Sequence, residues 1–291
     1  MTQTEKETIY SAGFRRGLED SIQPDWMKSL REEAFRFFTE NGFPVVQSEE
    51  WKYTNVSPIA KENFRIAKSA DFTKAETAPF VFAESSESVL VFANGMFDRS
   101  LSNLKAASGA TILSFGEAAS DERFAAILKS KLGSLVGFEK NGFTALNSAF
   151  IGEGAFIFLP KNARIETPIQ LLFLTENDVI SCPRILIVAE NFAEATIIET
   201  YVRSSETKYL TNAVIEISIA DEAKIKHYRV QRESHEAFHV STAATEVARG
   251  SVYDTTAINL GAKLSRHDVA LKFLERNSEA WLIRRKTVLR L

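Results

Sequence analysis

Cysteine is all but missing from this 291-residue chain. Cys182 is the single thiol, which rules out an intramolecular disulfide and any Cys-ligated zinc or iron–sulfur site built by this chain alone. Histidine is scarce as well, with four residues. Charge of one sign is also lacking: 35 Lys and Arg stand against 38 Asp and Glu, a net charge of −3. A nucleic-acid binder needs clustered positive charge to release counterions, so no nucleic-acid partner is expected. No run approaches the ~18 unbroken apolar residues of a membrane span. The first eight residues, Met1 to Thr8, are polar and carry no signal-peptide apolar core, so the expectation is a cytoplasmic protein without membrane contact.

What the chain does have is a core. Apolar residues make up 45% of it, and 22 of them are Phe, enough to exclude a disordered tail. The first quarter reads as helical. Asp25 is placed to cap a helix over Trp26 to Asn41, in which Met27, Leu30, Ala34, Phe37 and Phe38 form one apolar stripe. Asn41-Gly42 before Pro44 stops it. Ala67 to Pro79 reads as loop, Ser88 to Ala93 as a buried strand ended by Asn94-Gly95, and a further helix is expected from a Ser120 cap to Gly133.

After about Gly142 the texture changes. Short strand-like runs follow one another: Ala155–Leu159, Ile169–Leu174, Arg184–Val188, Thr196–Val202, Ala213–Ile219, Lys224–Val230 and Val252–Leu260. Ala195, Ala223 and Ser251 each open an alternating apolar and polar run, and they are spaced 28 and 28 residues apart. A fixed period points to stacked coils of strand, because one coil cannot bury its inner face alone. Alternation by itself equally fits an antiparallel sandwich.

His235-Glu236-Ala237-Phe238-His239 matches the H-E-x-x-H zinc-peptidase pattern, with His235 and His239 as candidate metal ligands. The pattern needs a helix to bring i and i+4 together, whereas its surroundings read as extended. No catalytic, cofactor or metal residue is therefore expected, with these two histidines as a minor alternative. His227 reads as a solvent-facing strand residue, Cys182 as a small buried apolar one, Trp51 and Tyr53 as core packing, and Arg266-His267-Asp268 as a hydrogen-bonded corner. A β-helix enzyme acting on polysaccharide is a further alternative, but no cluster of Asp, Arg and Lys lines one strand face.

The hexapeptide Glu49-Glu50-Trp51-Lys52-Tyr53-Thr54 resembles the N-terminal signature of the SufD family, part of the SUF iron–sulfur cluster assembly system. In order along the chain, Phe92 to Phe97, Gly142 to Phe150, Asn212 to Glu216, His227-Tyr228, Gln231 to Ser234, Phe238-His239 and Leu260 to Asp268 continue the resemblance. It implies a mainly β protein: a right-handed parallel β-helix, a single-stranded solenoid, preceded by a helical or α+β N-terminal region. Expected divisions are 1–141, 142–282 and a basic tail, 283–291.

The resemblance also implies a non-catalytic scaffold subunit that joins a SufB-like paralogue through the β-helix, with a SufC-like ATPase as a further partner. Iron–sulfur cluster and ATP are implied for the complex, and no cofactor is expected on this chain alone. Family members continue beyond Trp281-Leu282. The expectation is therefore a shortened chain that lacks the SufC-binding region and, with a solenoid cross-section exposed, is prone to aggregate.

Overall fold

The second half of the chain winds into stacked coils, and the first half wraps one side of the stack. The structure is a computed structural model that describes residues 7–19, 23–68, 70–152, 154–203 and 205–286. Its helices are α1 (Ser11–Glu19), α2 (Asp25–Asn41), α3 (Ser57–Ala60), α4 (Lys74–Thr77), α5 (Phe115–Ser120), α6 (Ala125–Lys131) and α7 (Gly142–Ala149). Among the described residues no helix is long and apolar enough to cross a membrane.

α2 forms where its apolar stripe predicts. Met27, Ala34 and Phe38 are buried, and Phe35 joins them. It starts one residue early: Pro24 holds the N-cap position and Asp25 sits in the first turn, where its carboxylate faces the positive end of the helix dipole. Two other expectations are corrected. Ala67 to Pro79 is not all loop, because Thr73 and Glu76 form a capping box that starts α4. Ser120 does not begin a helix but ends one. Ser114 and Glu117 make the box that starts α5, with Ser114 N–H donating to Glu117 at 2.7 Å, and α6 follows only at Ala125.

Strands β1 (Arg65–Ile66), β2 (Val89–Ala93), β3 (Met96–Asn103) and β4 (Thr111–Ser114) edge the stack. The coils themselves use β5 (Ala155–Leu159), β6 (Ile169–Leu174), β7 (Val179–Ser181), β8 (Arg184–Ala189), β9 (Glu194–Val202), β10 (Leu210–Ile219), β11 (Lys224–Arg232), β12 (Phe238–Val247), β13 (Val252–Asn259), β14 (Leu264–Phe273) and β15 (Glu279–Lys286). They alternate between two parallel sheets. One carries β5, β7, β8, β10, β12 and β14, and the other β6, β9, β11, β13 and β15. The result is a β-solenoid of about 5 turns behind a helical N-terminal region. Parallel pairing throughout the coils excludes the antiparallel sandwich.

The 28-residue period is correct for one interval and off for the other. Lys224 pairs with Val252, a step of 28, but Glu194 pairs with Lys224, a step of 30. The partner of Ala223 in the preceding coil is thus Ala193, not Ala195, and the Lys224 amide donates to Ala193 O. The two extra residues sit in the 203–209 corner, which is longer than the 233–237 corner one coil on. An insertion of two keeps the in–out alternation, so the stack absorbs it.

The opposite corner is regular. Asn162, Phe192, Glu222, Gly250 and Asn277 all have φ between 61° and 66°. They stack through backbone bonds, Phe192 N–H to Asp221 O at 3.0 Å and Glu222 N–H to Arg249 O at 2.9 Å. The left-handed conformation turns the chain sharply between sheets. Only one of the five is glycine, which hides the corner in the sequence.

The helical region is bolted to the outer face of the first sheet. Arg184 on β8 and Glu216 on β10 form a buried pair at 2.6 Å. Glu216 also accepts the amides of Gly133, Leu135 and Val136, while Arg184 donates to Val136 O, Asn147 and Ser148. Every residue of α7 is buried, and Asn147 donates to Pro183 O and Asn212 O. β15 runs through residue 286, across the boundary expected at 282/283, and residues 287–291 of the expected tail lie outside the described residues.

Candidate functional site

The filling of the solenoid changes along its axis. The early coils are packed with Ala155, Ile157, Leu159, Ile169, Leu171, Phe173, Ile185 and Ile187. From β9 onward, charged and polar side chains join apolar ones such as Ile215, Ile217 and Ile225 in the interior. In Lys224–Arg232 the burial alternates, with Ile225, His227, Arg229 and Gln231 inside and Lys224, Lys226 and Arg232 outside. His227 is therefore not a solvent-facing residue; it is 1% exposed. Ile225 sets the parity of the strand, and every second residue after it must follow it inward. That parity is the signal from which the site could have been read.

His227 bridges two coils. Its Nε2 lies 2.5 Å from Glu199 Oε1 on β9, and its Nδ1 lies 2.7 Å from the Tyr253 hydroxyl on β13. Tyr201 donates to the other oxygen of Glu199 at 2.5 Å. Burial disfavours the imidazolium, but the Tyr253 hydroxyl and the Glu199 carboxylate outweigh it and raise His227 to about 10. Burial likewise opposes the Glu199 anion, and His227 and Arg229 overcome this to hold it below the usual carboxylate range.

Arg229 continues the network. It donates to Asn259 at 2.5 Å and to His239 Nε2 at 2.5 Å, and it stacks 5.1 Å from the centroid of Tyr201. Because Arg229 can only donate, His239 Nε2 accepts, and its Nδ1–H donates to Glu233 at 2.6 Å. Burial first, then the Arg229 charge, keep His239 neutral with a lowered pKa. Glu233 also accepts from Thr211 at 2.6 Å and Gln231 at 2.9 Å. The network thus holds two carboxylates against one imidazolium and one guanidinium, a neutral sum suited to a buried site. Among the described residues Arg229 Nε has no acceptor, and His227 Nε2 meets Glu199 Oε1 as an ion pair without hydrogen-bond geometry.

His235 and His239 are not brought together. Residues 235–239 pass through a turn into β12, leaving His235 and Glu236 exposed and His239 fully buried, so the helical turn that zinc-peptidase chemistry requires is absent. Among the described residues no group of three or more His, Cys, Asp or Glu is arranged to hold a metal ion. The corner trio divides too. Arg266 pairs with Asp268 at 2.9 Å, while His267 turns inward to Ser241 at 2.8 Å. Trp51 is buried, as expected of core packing, but Tyr53 is 90% exposed. The Cys182 thiol is pushed up to about 12 by burial, far from a reactive thiolate.

A cavity of about 240 Å³ at the last coil is lined by Thr255, His267, Val269, Leu282 and Arg284. Around it the apolar side chains Phe273, Trp281, Leu282 and Ile283 are 49–62% exposed.

Comparison with known proteins agrees with this architecture. Residues 7–171 match the SufBD protein N-terminal region, and residues 172–284 match the SufBD core domain of SUF-system iron–sulfur cluster assembly. An iron–sulfur cluster assembly SufBD family protein of Synechocystis is 33% identical over 270 residues, covering 88% of this chain and 57% of the relative. The iron–sulfur cluster assembly protein SufD of Bacillus subtilis is 25% identical over 222 residues, covering 74% and 51%. The chloroplastic protein ABCI7 of Arabidopsis thaliana is 27% identical over 158 residues, covering 50% and 33%. The chain spans about half the length of the first two relatives. A helical region bolted to a parallel solenoid, matched end to end by two adjoining family models, places this chain in the SufBD family of iron–sulfur cluster assembly proteins.

Proposed function

We propose that the chain is a non-catalytic scaffold subunit in iron–sulfur cluster assembly, acting in the cytoplasm and pairing through its solenoid with a SufB-like paralogue. The observation that carries this reading is the continuous match of residues 7–284 to the two SufBD family models. The buried network supports the non-catalytic part, because its charges are balanced by one another. A cluster is cargo in this reading, with ligands supplied largely by the partner, since the one thiol of this chain is held protonated by burial. ATP hydrolysis belongs to a partner as well.

Co-expression with the SufB-like protein of the same genome, followed by affinity capture of this chain, tests the reading. Stoichiometric co-elution is expected. A SufB-like protein that passes through while this chain stays folded would overturn the proposal.

A further inference from the structure

A second cavity lies outside the polar interior, where α1 meets the β2–β3 turn and the entry to the solenoid. It is a cleft of about 430 Å³, inside the size range of small-molecule sites. Its walls are mostly apolar and include Ile66, Met96, Phe150, Ile151 and Ile180. Two glycines of α1 one turn apart, Gly13 and Gly17, open the helix toward it.

One wall carries a charge. Arg31, on α2, is 4% exposed yet lines the cleft. Its Nε donates to Ala149 O at 3.0 Å and its Nη1 to Gln23 at 2.8 Å. Nη2 has no acceptor among the described residues. A methyl group built on Gly17 would lie 3.5 Å from it, so this nitrogen faces the cleft beside α1. No ion pair offsets the guanidinium among the described residues, and burial lowers its pKa with nothing to raise it. Burying a cation without a counter-charge is costly, and an arginine cannot escape the cost by losing its proton.

We propose that this cleft binds a small organic anion, with its carboxylate on Arg31 Nη2 and its apolar body against Ile66, Met96 and Phe150. This site is independent of the scaffold reading. A carboxylate there would supply a counter-charge that the described residues lack, through a charge-assisted hydrogen bond, and the apolar walls favour a hydrocarbon body over a bare inorganic ion.

Met96 provides the reporter. The chain has three methionines: Met1 lies outside the described residues, Met27 is fully buried behind the cleft wall in the cluster that holds Ile151, and Met96 lines the cleft. In protein labelled with ¹³C at the methionine methyls, sodium hexanoate at constant ionic strength should shift the Met96 signal saturably and by more than that of Met27. Hexanol, its neutral counterpart, should give no saturable shift over the same range. Arg31→Gln should weaken hexanoate binding about tenfold or more. Gly17→Leu should block it while keeping the guanidinium and improving helix propensity.

The proposal is overturned if hexanol acts as hexanoate does, if either variant binds as the parent chain does, or if no saturable shift appears in the millimolar range. Should Arg31→Gln fail to fold, Gly17→Leu and the hexanoate–hexanol comparison decide the matter.

Discussion

The guanidinium of Arg266 lies on the face of Trp51, 3.9 Å from the ring centroid. The other side of the indole stacks on Phe143 of α7 at 5.3 Å and 21°. Arg266 is held in place by Asp268 at 2.9 Å and by Thr54 at 3.0 Å. Three separate sequence segments, around residues 51, 143 and 266, therefore meet in one sandwich that fastens the N-terminal region to β14.

Removing the indole should loosen that fastening. Trp51→Ala is expected to cost about 3–5 kcal/mol, the range for a fully buried aromatic. Arg266→Lys should cost about 1 kcal/mol, because lysine keeps the charge but loses the flat stack and the fork. Urea unfolding followed by circular dichroism measures both, and equal midpoints for Trp51→Ala and the parent chain would refute the sandwich as a structural anchor.

The Arg184–Glu216 pair makes a second prediction. Glu216→Gln leaves Arg184, whose side chain is 1% exposed, with an uncompensated charge, at an expected cost of about 3–5 kcal/mol. Adding Arg184→Met should restore part of that loss, because the buried charge is then gone. Thermal unfolding of the two variants gives the comparison. A double variant less stable than the single would show that the hydrogen bonds of Arg184 outweigh its charge.

Stability should depend on pH through His227. Its pKa rises from 6.5 to about 10 on folding, so the folded state holds the proton more tightly. The resulting stabilisation is fully present below pH 6.5 and is lost as pH rises toward 10. His239 and His267 are shifted down, first by burial, so their effect runs the other way and stability falls as pH drops below about 6.5. Urea midpoints measured between pH 6.5 and 10 should decline for the parent chain and stay nearly level for His227→Gln. A parallel decline in both would remove His227 as the cause.

Much of the solenoid is legible in the amino-acid sequence. The strand limits expected for β5 and β6 match to the residue, and those expected for β8, β9, β10, β11 and β13 match within a few residues at their ends, because apolar runs bounded by turn residues carry their own limits. The helix ends are less legible. Two rival serines, Ser114 and Ser120, lie six residues apart, and only the glutamate three residues after Ser114 distinguishes the cap from the end. The spacing of His235 and His239 does not by itself say whether the segment is helical; the extended pattern around it carries that information.

The sequence by itself determined the element type and its repeat: alternating strands, a period near 28 residues, a helical start and too few thiols for a disulfide. Tertiary structure alone decided where a corner holds two extra residues, and that Glu199, His227, Arg229, Glu233 and His239 converge into one balanced network. The physical reason is that alternation sets the parity within one strand, whereas the lengths of the corners set which residues of neighbouring coils come to lie beside one another.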